Sequence, residues 1–353
     1  MAAKPYKRGL VVGKFSPLHK GHEYLIQNAF NQCEEVVVIS YSRPEFPSCS
    51  AKVREQWIKS AFPSASVLCI DAATVESWRA CSAWDLSMPN NSEADHMHRH
   101  FTYKILSSKI GLDVDVVFTS EDYGYGFAQF LSDSAAGFGS PVEHVCVDLN
   151  RQTYPVSGSL MRSTRNQDNG LIDQSVLADF SVQKVVFLGA ESTGKSTLSR
   201  FLSEQFKEPL VEEYGRELWE EKNGELSPED LIDICTVQAQ NEDVAQRYAS
   251  KFIFCDTSPI TTLCYSEALF KQRCDVISAF AERPYHHVFL CEPDFPLVQD
   301  GTRKDEDFRL WQHDWYLEEL KKSEVSFERL DGPIERRLNK VKGVISNAKI
   351  VKS

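Results

Sequence analysis

A glycine-bounded segment with one lysine and several hydroxyl groups occupies residues 189–196, and these residue types bind phosphate. The segment fits the pattern G-x-x-x-x-G-K-[ST] at every fixed position. In such a loop successive main-chain N–H groups surround the phosphates, and the helix that follows adds its positive end. We expect Lys195 to reach the β- and γ-phosphates of ATP and Ser196 to bind Mg²⁺. The expected nucleotide-binding residues here are Gly189, Glu191, Ser192, Thr193, Gly194, Ser196 and Thr197.

Charged side chains after other apolar runs offer the remaining groups for phosphoryl transfer. Asp256 ends the run 252–255 and fits an acidic partner of Mg²⁺ or of its water, although it could instead cap the next helix. Glu213 could orient or deprotonate an acceptor hydroxyl, with Arg216 close to phosphate, or the two could form a surface ion pair. Arg303, in the turn 300–304, is expected to act as a lid arginine; a solvated charged loop is the alternative.

A second loop, residues 13–22, carries two histidines three positions apart, His19 and His22. At the start of a helix, two such imidazoles point the same way and can donate to phosphate oxygens, which the helix dipole also favours. Gly21 leaves room for a phosphate or a base to approach the backbone. A zinc site would need further ligands, and no HExxH or CxxC partner exists.

Short apolar runs alternate with helical stretches throughout the chain, which predicts a parallel sheet flanked by helices in each half. Both halves open with a strand, a glycine-containing loop and an amphipathic segment. Polar turn formers near residues 165–181 mark the boundary, so we expect tandem three-layer α/β domains at 1–180 and 181–353. The expected strands are 9–12, 36–40, 66–70, 114–119, 145–147, 184–188, 210–212, 252–255 and 287–291. Ligands of such folds bind at the carboxyl ends of the strands, where both loops fall.

The amino-acid composition argues against several classes of protein. The net charge of −12 argues against broad nucleic-acid binding, which needs clustered positive charge. No apolar run is long enough to span a bilayer, and no secretion signal is visible at the start. The ten cysteines include no CxxC pair and several lie in apolar runs, so we expect free thiols and a cytoplasmic protein.

The loop 13–22 resembles the signature of the nucleotidyltransferase superfamily that joins AMP or CMP to a phosphate. The matching residues are Gly13, Phe15, Pro17, His19, Gly21 and His22. A second signature of that superfamily lies at 156–162, with Ser157, Ser159 and Arg162 where the family binds triphosphate. The family more often has threonine and lysine within this stretch, where this chain has Ser159 and Met161. The resemblance implies a Rossmann-like domain in which Lys14, His19, His22 and Arg162 bind the triphosphate of ATP.

The order of this domain and a P-loop domain resembles the bifunctional nicotinamide-nucleotide adenylyltransferase/ribosylnicotinamide kinases of the NadR type. Further matching segments are 118–121, 213–217, 256–257, 261–262 and 300–303. The resemblance implies that the second half phosphorylates nicotinamide riboside with ATP, and that the first half adenylylates the resulting mononucleotide, NMN, to NAD. Mg²⁺ would assist both reactions. Some relatives begin with a helix-turn-helix, which we expect to be missing because only about eight residues precede the first strand.

Two alternatives stay open: another acceptor for one or both reactions, and a regulator that binds nucleotides without turnover. The expected partners are therefore small molecules (ATP, nicotinamide riboside, NMN and NAD), and a homo-oligomer is possible. Other conspicuous residues are given plainer roles. We expect the histidine-rich segment 95–100 to be solvated and Trp57, Trp78 and Trp84 to lie in the core. Arg54 could bind phosphate or be structural.

Overall fold

The computed structural model describes residues 3–111, 113–134, 141–163, 170–297 and 305–347. The chain divides into two compact units, Met1–Phe180 and Ser181–Ser353. Each unit contains one five-stranded sheet whose strands all run parallel, which confirms the expected α/β class. Within the described ranges, no helix combines the length and the apolar character needed to cross a membrane.

The sheet of the first unit has the order β3-β2-β1-β4-β5. Its strands are β1 (Tyr6–Gly13), β2 (Cys33–Tyr41), β3 (Ser66–Ile70), β4 (Val116–Thr119) and β5 (Glu143–Cys146). The central strand β1 pairs with β2 on one side and with β4 on the other. The direction of winding reverses there, and a crevice opens at the carboxyl ends of the strands beside such a reversal.

Helices cover both faces of this sheet. They are α1 (Lys20–Gln32), α2 (Ala51–Ala61), α3 (Ala72–Cys81), α4 (Asp95–Ile105), α5 (Gly124–Ser134), α6 (Gly158–Ser163) and α7 (Gln174–Ser181), with a π-helical turn at Leu106–Ile110. Successive strand residues face opposite sides, so Val36 and Val38 lie in one apolar cluster, whereas Val37 and Ile39 lie in the other. The unit therefore has three layers.

The sheet of the second unit has the order β10-β9-β6-β8-β7. Its strands are β6 (Gln183–Leu188), β7 (Leu210–Val211), β8 (Phe252–Asp256), β9 (His287–Cys291) and β10 (Glu328–Leu330). The strand β10 was not expected from the sequence, because its three residues include a single apolar side chain, Leu330. As an edge strand it buries that side chain and leaves its neighbours exposed.

The helices of the second unit are α8 (Lys195–Phe206), α9 (Tyr214–Glu221), α10 (Pro228–Tyr248), α11 (Pro259–Phe270), α12 (Asp275–Ala281), α13 (Glu306–Lys322) and α14 (Ile334–Asn347). Phe187 and Phe254 face one apolar cluster, while Val186 and Cys255 face the other. A third cluster forms among α9, α10, α11 and α12. All ten cysteines lie in the described residues and are free thiols.

Candidate active sites

The loop after β1 leads directly into α1 and is shaped by its backbone. Phe15 has a left-handed φ of 48°, and the Ser16–Pro17 peptide is cis. His19 is the N-cap residue of α1, where its Nδ1 accepts a hydrogen bond of 3.3 Å from the main-chain N–H of His22. At a helix N-cap this hydrogen bond is more commonly accepted by the side chain of a serine or an aspartate. The bond holds the ring of His19 over the first turn, beside His22.

Burial makes both histidines difficult to protonate. The pKa of His19 is lowered to about 4, chiefly by burial and further by Arg151. The pKa of His22 falls well below its usual value, for the same reason and because of His19. Nδ1 of His22 is buried and has no hydrogen-bond partner among the described residues. Both rings are thus neutral near pH 7, so each carries one N–H, and His22 keeps a ring nitrogen for a ligand.

Two cations complete this site. Arg162, on α6, donates from Nη1 to the carbonyl oxygen of Ser16 (2.6 Å) and from Nη2 to Oγ of Ser159 (3.1 Å). Its guanidinium also lies 3.8 Å from the ring centroid of Phe46. The pKa of Lys14 is lowered, first by burial and then by Arg162. A compact positive charge of this kind suits an anion such as triphosphate.

These groups line one cavity of about 460 Å³. It collects every site residue that the sequence predicted for the first unit: Gly13, Lys14, Phe15, His19, Gly21, His22, Ser157, Ser159 and Arg162. The two signature segments, far apart in sequence, therefore meet at the carboxyl end of β1. Arg54 does not reach the cavity. It is fully buried and donates to Oγ of Ser40 (2.5 Å) and to the carbonyl oxygens of Lys14 and Cys49, which is a structural role.

Sequence reasoning missed several residues of this cavity, among them Tyr41, His98, Arg99 and Arg151. His96 and His100 are exposed as expected, but the expectation of a solvated segment was wrong for His98. The ring of His98 stacks on that of Tyr41, with centroids 5.8 Å apart. A signal was present: positions 98, 101, 102 and 105 have the spacing of one inward helix face. Trp57 and Trp84 are buried in the core as expected.

In the second unit the loop between β6 and α8 has the backbone of a phosphate cradle. Ser192 and Gly194 have left-handed φ angles of 57° and 84°, and Gly194 is the N-cap residue of α8. Gly189 has a φ of 140°, and a Cβ atom there would lie 2.7 Å from the carbonyl oxygen of Cys291. Only glycine fits at that position.

The side chains of this loop bond within it. Nζ of Lys195 donates to the carbonyl oxygens of Gly189 and Ala190, each at 2.9 Å. The buried hydroxyl of Thr193 donates to the carbonyl oxygen of Ala190 at 2.8 Å. Because its hydroxyl is already bonded, Thr193 can contact a ligand through its main chain rather than through its side chain. Lys195 can exchange its two carbonyl partners for phosphate oxygens, which are stronger acceptors.

Two carboxylates follow neighbouring strands beside the loop. Burial raises the pKa of Glu213; Lys195 opposes this and Asp256 adds to it. Arg216 lies 3.9 Å from Glu213; its side chain is 47% exposed, whereas that of Glu213 is 22% exposed, so only the carboxylate is largely buried. Asp256 ends β8, and its Oδ1 is buried without a hydrogen-bond partner in the described part of the chain. Asp256 is not a helix cap, because Ser258 caps α11.

A cavity of about 610 Å³ runs from the loop to an apolar recess. The following residues predicted from the sequence as site residues line this cavity: Gly189, Glu191, Ser192, Thr193, Gly194, Lys195, Ser196, Thr197, Glu213 and Arg216. The recess adds Trp219, Tyr265 and Gln238, which the sequence did not single out. Gln238 is buried, its Oε1 accepts from the main-chain N–H of Tyr214 (3.3 Å), and its Nε2 has no partner among the described residues. Nothing in the local pattern marked these side chains, since helix packing alone brings them there.

The arginine predicted for the lid, Arg303, lies outside the described residues, as does the expected turn 300–304. No role was predicted from the sequence for a nearby arginine, Arg309. It is buried behind the loop, and its Nε donates to the carbonyl oxygen of Glu191 at 3.0 Å.

The described residues contain no group of three or more His, Cys, Asp or Glu side chains arranged to hold a metal ion. Mg²⁺ commonly needs only one or two protein ligands, because waters and phosphates supply the rest. Ser196 is exposed at the start of α8, and the orphaned Oδ1 of Asp256 faces no protein donor. In their chemistry a hydroxyl and a carboxylate oxygen fit a nucleotide-bound Mg²⁺ and would not hold a metal without other ligands, although of these two residues only Ser196 lines the cavity.

Comparisons with known proteins agree with the motifs. Residues 184–337 match a family model described as an AAA domain. The chain is 28% identical to the Escherichia coli K12 protein described as "Trifunctional NAD biosynthesis/regulator protein NadR", over 92% of this chain and 78% of that protein. It is also 28% identical to the protein of the same description from Salmonella typhimurium LT2, over 90% of this chain and 77% of that protein.

A solved structure shares the fold. It is described as the NadR protein in complex with NR, is 21% identical, has a TM-score of 0.50 and matches 100% of this chain and 99% of its own. The expected resemblance to NadR-type proteins is thereby confirmed along almost the whole chain.

Proposed function

We propose that this chain, a relative of the NadR proteins over nearly its full length, is an ATP-dependent transferase with two activities. Residues 181–353 phosphorylate the 5′-hydroxyl of nicotinamide riboside, and residues 1–180 adenylylate the resulting NMN to NAD. One observation carries the proposal: two phosphate-binding loops of different kinds lie at the centres of two sheets, in a chain 28% identical to NadR over 92% of its length.

In the second unit, the loop 189–196 holds the triphosphate through main-chain N–H groups and Lys195. Glu213 accepts the proton of the 5′-hydroxyl as that oxygen bonds to the γ-phosphorus, and ADP leaves. Burial raises the pKa of Glu213, which makes it a stronger base than a solvated glutamate. The recess lined by Trp219 and Gln238 suits a flat, polar-edged base, since an aromatic face can stack and an amide can donate a hydrogen bond.

Ser196 and Asp256 would hold Mg²⁺, Asp256 directly or through water. When bound, the ion neutralises charge on the β- and γ-phosphate oxygens. Arg303 and Arg216 are the side chains proposed to stabilise the migrating phosphoryl group.

In the first unit, an oxygen of the NMN phosphate bonds to the α-phosphorus of ATP, and pyrophosphate leaves. The phosphate is already ionised near neutral pH, so no side-chain nucleophile is required. Lys14 and Arg162 supply positive charge, while the neutral His19 and His22 supply N–H donors.

We further propose that the partners are ATP, nicotinamide riboside, NMN and NAD rather than nucleic acid. The net charge of −12 supports this. A homo-oligomeric state and a cytoplasmic location stay predictions.

The test is to incubate the purified chain with ATP, Mg²⁺ and nicotinamide riboside and to separate the products by chromatography with mass detection. We expect NMN and NAD to appear in that order, with ADP and then pyrophosphate. Parallel reactions with adenosine and with nicotinic acid riboside test other acceptors. Turnover of one of these in place of nicotinamide riboside would replace the acceptor in the proposal. Nucleotide binding without any product would instead support a regulator that binds nucleotides without turnover.

A further inference from the structure

The three largest fully buried side chains in the described parts of the chain are all arginines: Arg54, Arg309 and Arg337. Burying a guanidinium is costly unless each of its donors finds a partner. All three bond to main-chain carbonyls of the two nucleotide loops, and two of them, Arg309 and Arg337, serve the same loop. This concentration of buried charge behind one loop calls for a reason beyond packing.

Arg309, on α13, connects the loop with the segment that follows β9. Its Nε donates to the carbonyl oxygen of Glu191 (3.0 Å) and its Nη2 to that of Phe295 (2.7 Å). Its Nη1 lies 3.2 Å from both carboxylate oxygens of Glu306. The guanidinium therefore joins two backbone segments through separate nitrogens held in one rigid fork, a geometry that the single nitrogen of lysine does not reproduce.

Arg337, on α14, does the same two peptides further along. Its Nη1 donates to the carbonyl oxygen of Thr193 (2.8 Å), and its Nε to that of Gly332 (2.8 Å). Its Nη2 bonds to the carboxylate of Asp294 and to the carbonyl oxygen of Glu292 (3.2 Å). Again one guanidinium joins the loop to the segment after β9.

The planarity of the peptide converts these bonds into an orientation of the loop amides. In a trans peptide the C=O and the next N–H point in opposite directions. Fixing the carbonyl of Glu191 outward thus directs the N–H of Ser192 inward, and fixing that of Thr193 directs the N–H of Gly194 inward. Ser192 and Gly194 both have left-handed φ angles, and both line the cavity. Backbone conformations of this kind are costly and persist only where the surrounding structure holds them.

We propose that Arg309 and Arg337 are positioning residues for ATP, which hold the amides of Ser192 and Gly194 toward the triphosphate before it binds. The inference rests on the proposed function only in taking ATP as the ligand of this loop. The loop then loses its conformational entropy when the protein folds rather than when ATP binds. A loop released from either arginine binds triphosphate more weakly, while the nucleoside recess is unaffected.

The experiment compares Arg309→Met and Arg337→Met with Arg309→Lys and Arg337→Lys in the full chain. The matched control is Arg283→Met. The side chain of Arg283 is 8% exposed and belongs to the same unit, and it donates to Glu242, Asp243 and the carbonyl oxygen of Ala239, which lie outside the loop. The measurements are the Kd of ATP without nucleoside, the KM of ATP and of nicotinamide riboside, kcat and the melting temperature.

We expect the methionine variants to raise the Kd and the KM of ATP about tenfold or more, with the KM of the nucleoside changed less than about twofold. The lysine variants should recover part of the affinity, since lysine keeps the positive charge but lacks the rigid fork whose separate nitrogens reach the two segments. The control should lose melting temperature and keep its affinity for ATP.

Unchanged ATP affinity in both methionine variants, or an equal loss in the control, would overturn the inference. Should the methionine variants fail to fold, the lysine variants decide by the same criterion. A wild-type chain that binds ATP but leaves nicotinamide riboside unchanged would refute the proposed function alone, because the Kd of ATP tests the arginines without any acceptor.

Discussion

The imidazole rings of His19 and His22 lie face to face, with centroids 3.6 Å apart and planes inclined by 13°. Two protonated rings at this distance would repel each other, and burial also disfavours charge on either. The pair is therefore neutral in the unliganded protein, in which the positive charge of this site comes from Lys14 and Arg162.

Replacing His19 by asparagine should keep the hydrogen bond that caps α1 while removing the imidazole that can bind a proton. Asparagine is a good N-cap, so α1 should keep its first turn. In the unfolded chain a histidine binds its proton near pH 6.5, whereas His19 in the folded unit does so only at about pH 4. Stability therefore falls as pH drops from 6.5 to 4, by about 3 kcal/mol at most for His19.

We expect His19→Asn to reduce this loss while abolishing most adenylyl transfer. The measurement is urea unfolding of the protein at pH 7.5 and pH 5. The exposed His96 provides the control, since His96→Asn should change neither quantity. An undiminished loss of stability at pH 5 in His19→Asn would contradict the role assigned to its burial.

Single substitutions in the two loops should separate the two reactions. Lys195→Ala removes the lysine of the second loop and should lower NMN formation by about a hundredfold or more, while NAD synthesis from supplied NMN continues. His22→Ala should have the opposite effect. The assay is product analysis with each substrate in turn. Equal loss of both reactions in either folded variant would show that the two sites are not independent.

The pH profile of the kinase reaction should depend on Glu213. Because burial raises its pKa, the residue takes up a proton at a higher pH than a solvated glutamate, and kcat should fall as pH decreases through that value. Glu213→Gln should lower kcat by about a hundredfold and remove this acidic limb. Glu212→Gln is the control, since Glu212 is exposed next to it. The same limb in Glu213→Gln would assign the titration to another group.

Asp256→Asn should weaken the binding of Mg²⁺ at the kinase site without disturbing its fold. The carboxylate oxygen Oδ1 has no partner to lose among the described residues, so the melting temperature should stay near that of the wild type. The Mg²⁺ concentration for half-maximal rate should rise about tenfold. An exposed acid of the same unit, Asp275, serves as the control in Asp275→Asn. A Mg²⁺ requirement unchanged by Asp256→Asn would remove Asp256 from the proposed metal site.

The parts of the fold that the sequence predicted are those in which local pattern and tertiary environment agree. The strand Ser66–Ile70 was expected at the bounds observed, and His287–Cys291 likewise, because buried parallel strands are short apolar runs between turn formers. The strand Glu328–Leu330 has no such run, and only its pairing with β9 makes it a strand. Both phosphate loops were predictable because their chemistry requires contiguous residues.

The rest of each site is assembled by packing between segments distant in sequence. Arg337 lies 144 positions from the carbonyl that it binds, and nothing near it in the sequence differs from an ordinary charged helix. Trp219 reaches the recess from a helix in which half of the residues are charged. His98 could have been found from the helical spacing of its buried neighbours, but the surrounding histidines concealed that face. The sequence thus predicts which groups a binding loop contains, but not which side chains from distant segments pack behind the loop or line the opposite wall of its cavity.

The loop-bearing strands β1 and β6 are the middle strands of their sheets, with two further strands on either side. Partial opening of a domain starts where few bonds hold the chain, which here means the outermost strands β3, β5, β7 and β10. Such fraying leaves the central strands paired on both sides. The strand that carries each loop should therefore be among the last regions of its domain to exchange amide hydrogens with solvent, and it stays paired when the outer strands transiently detach.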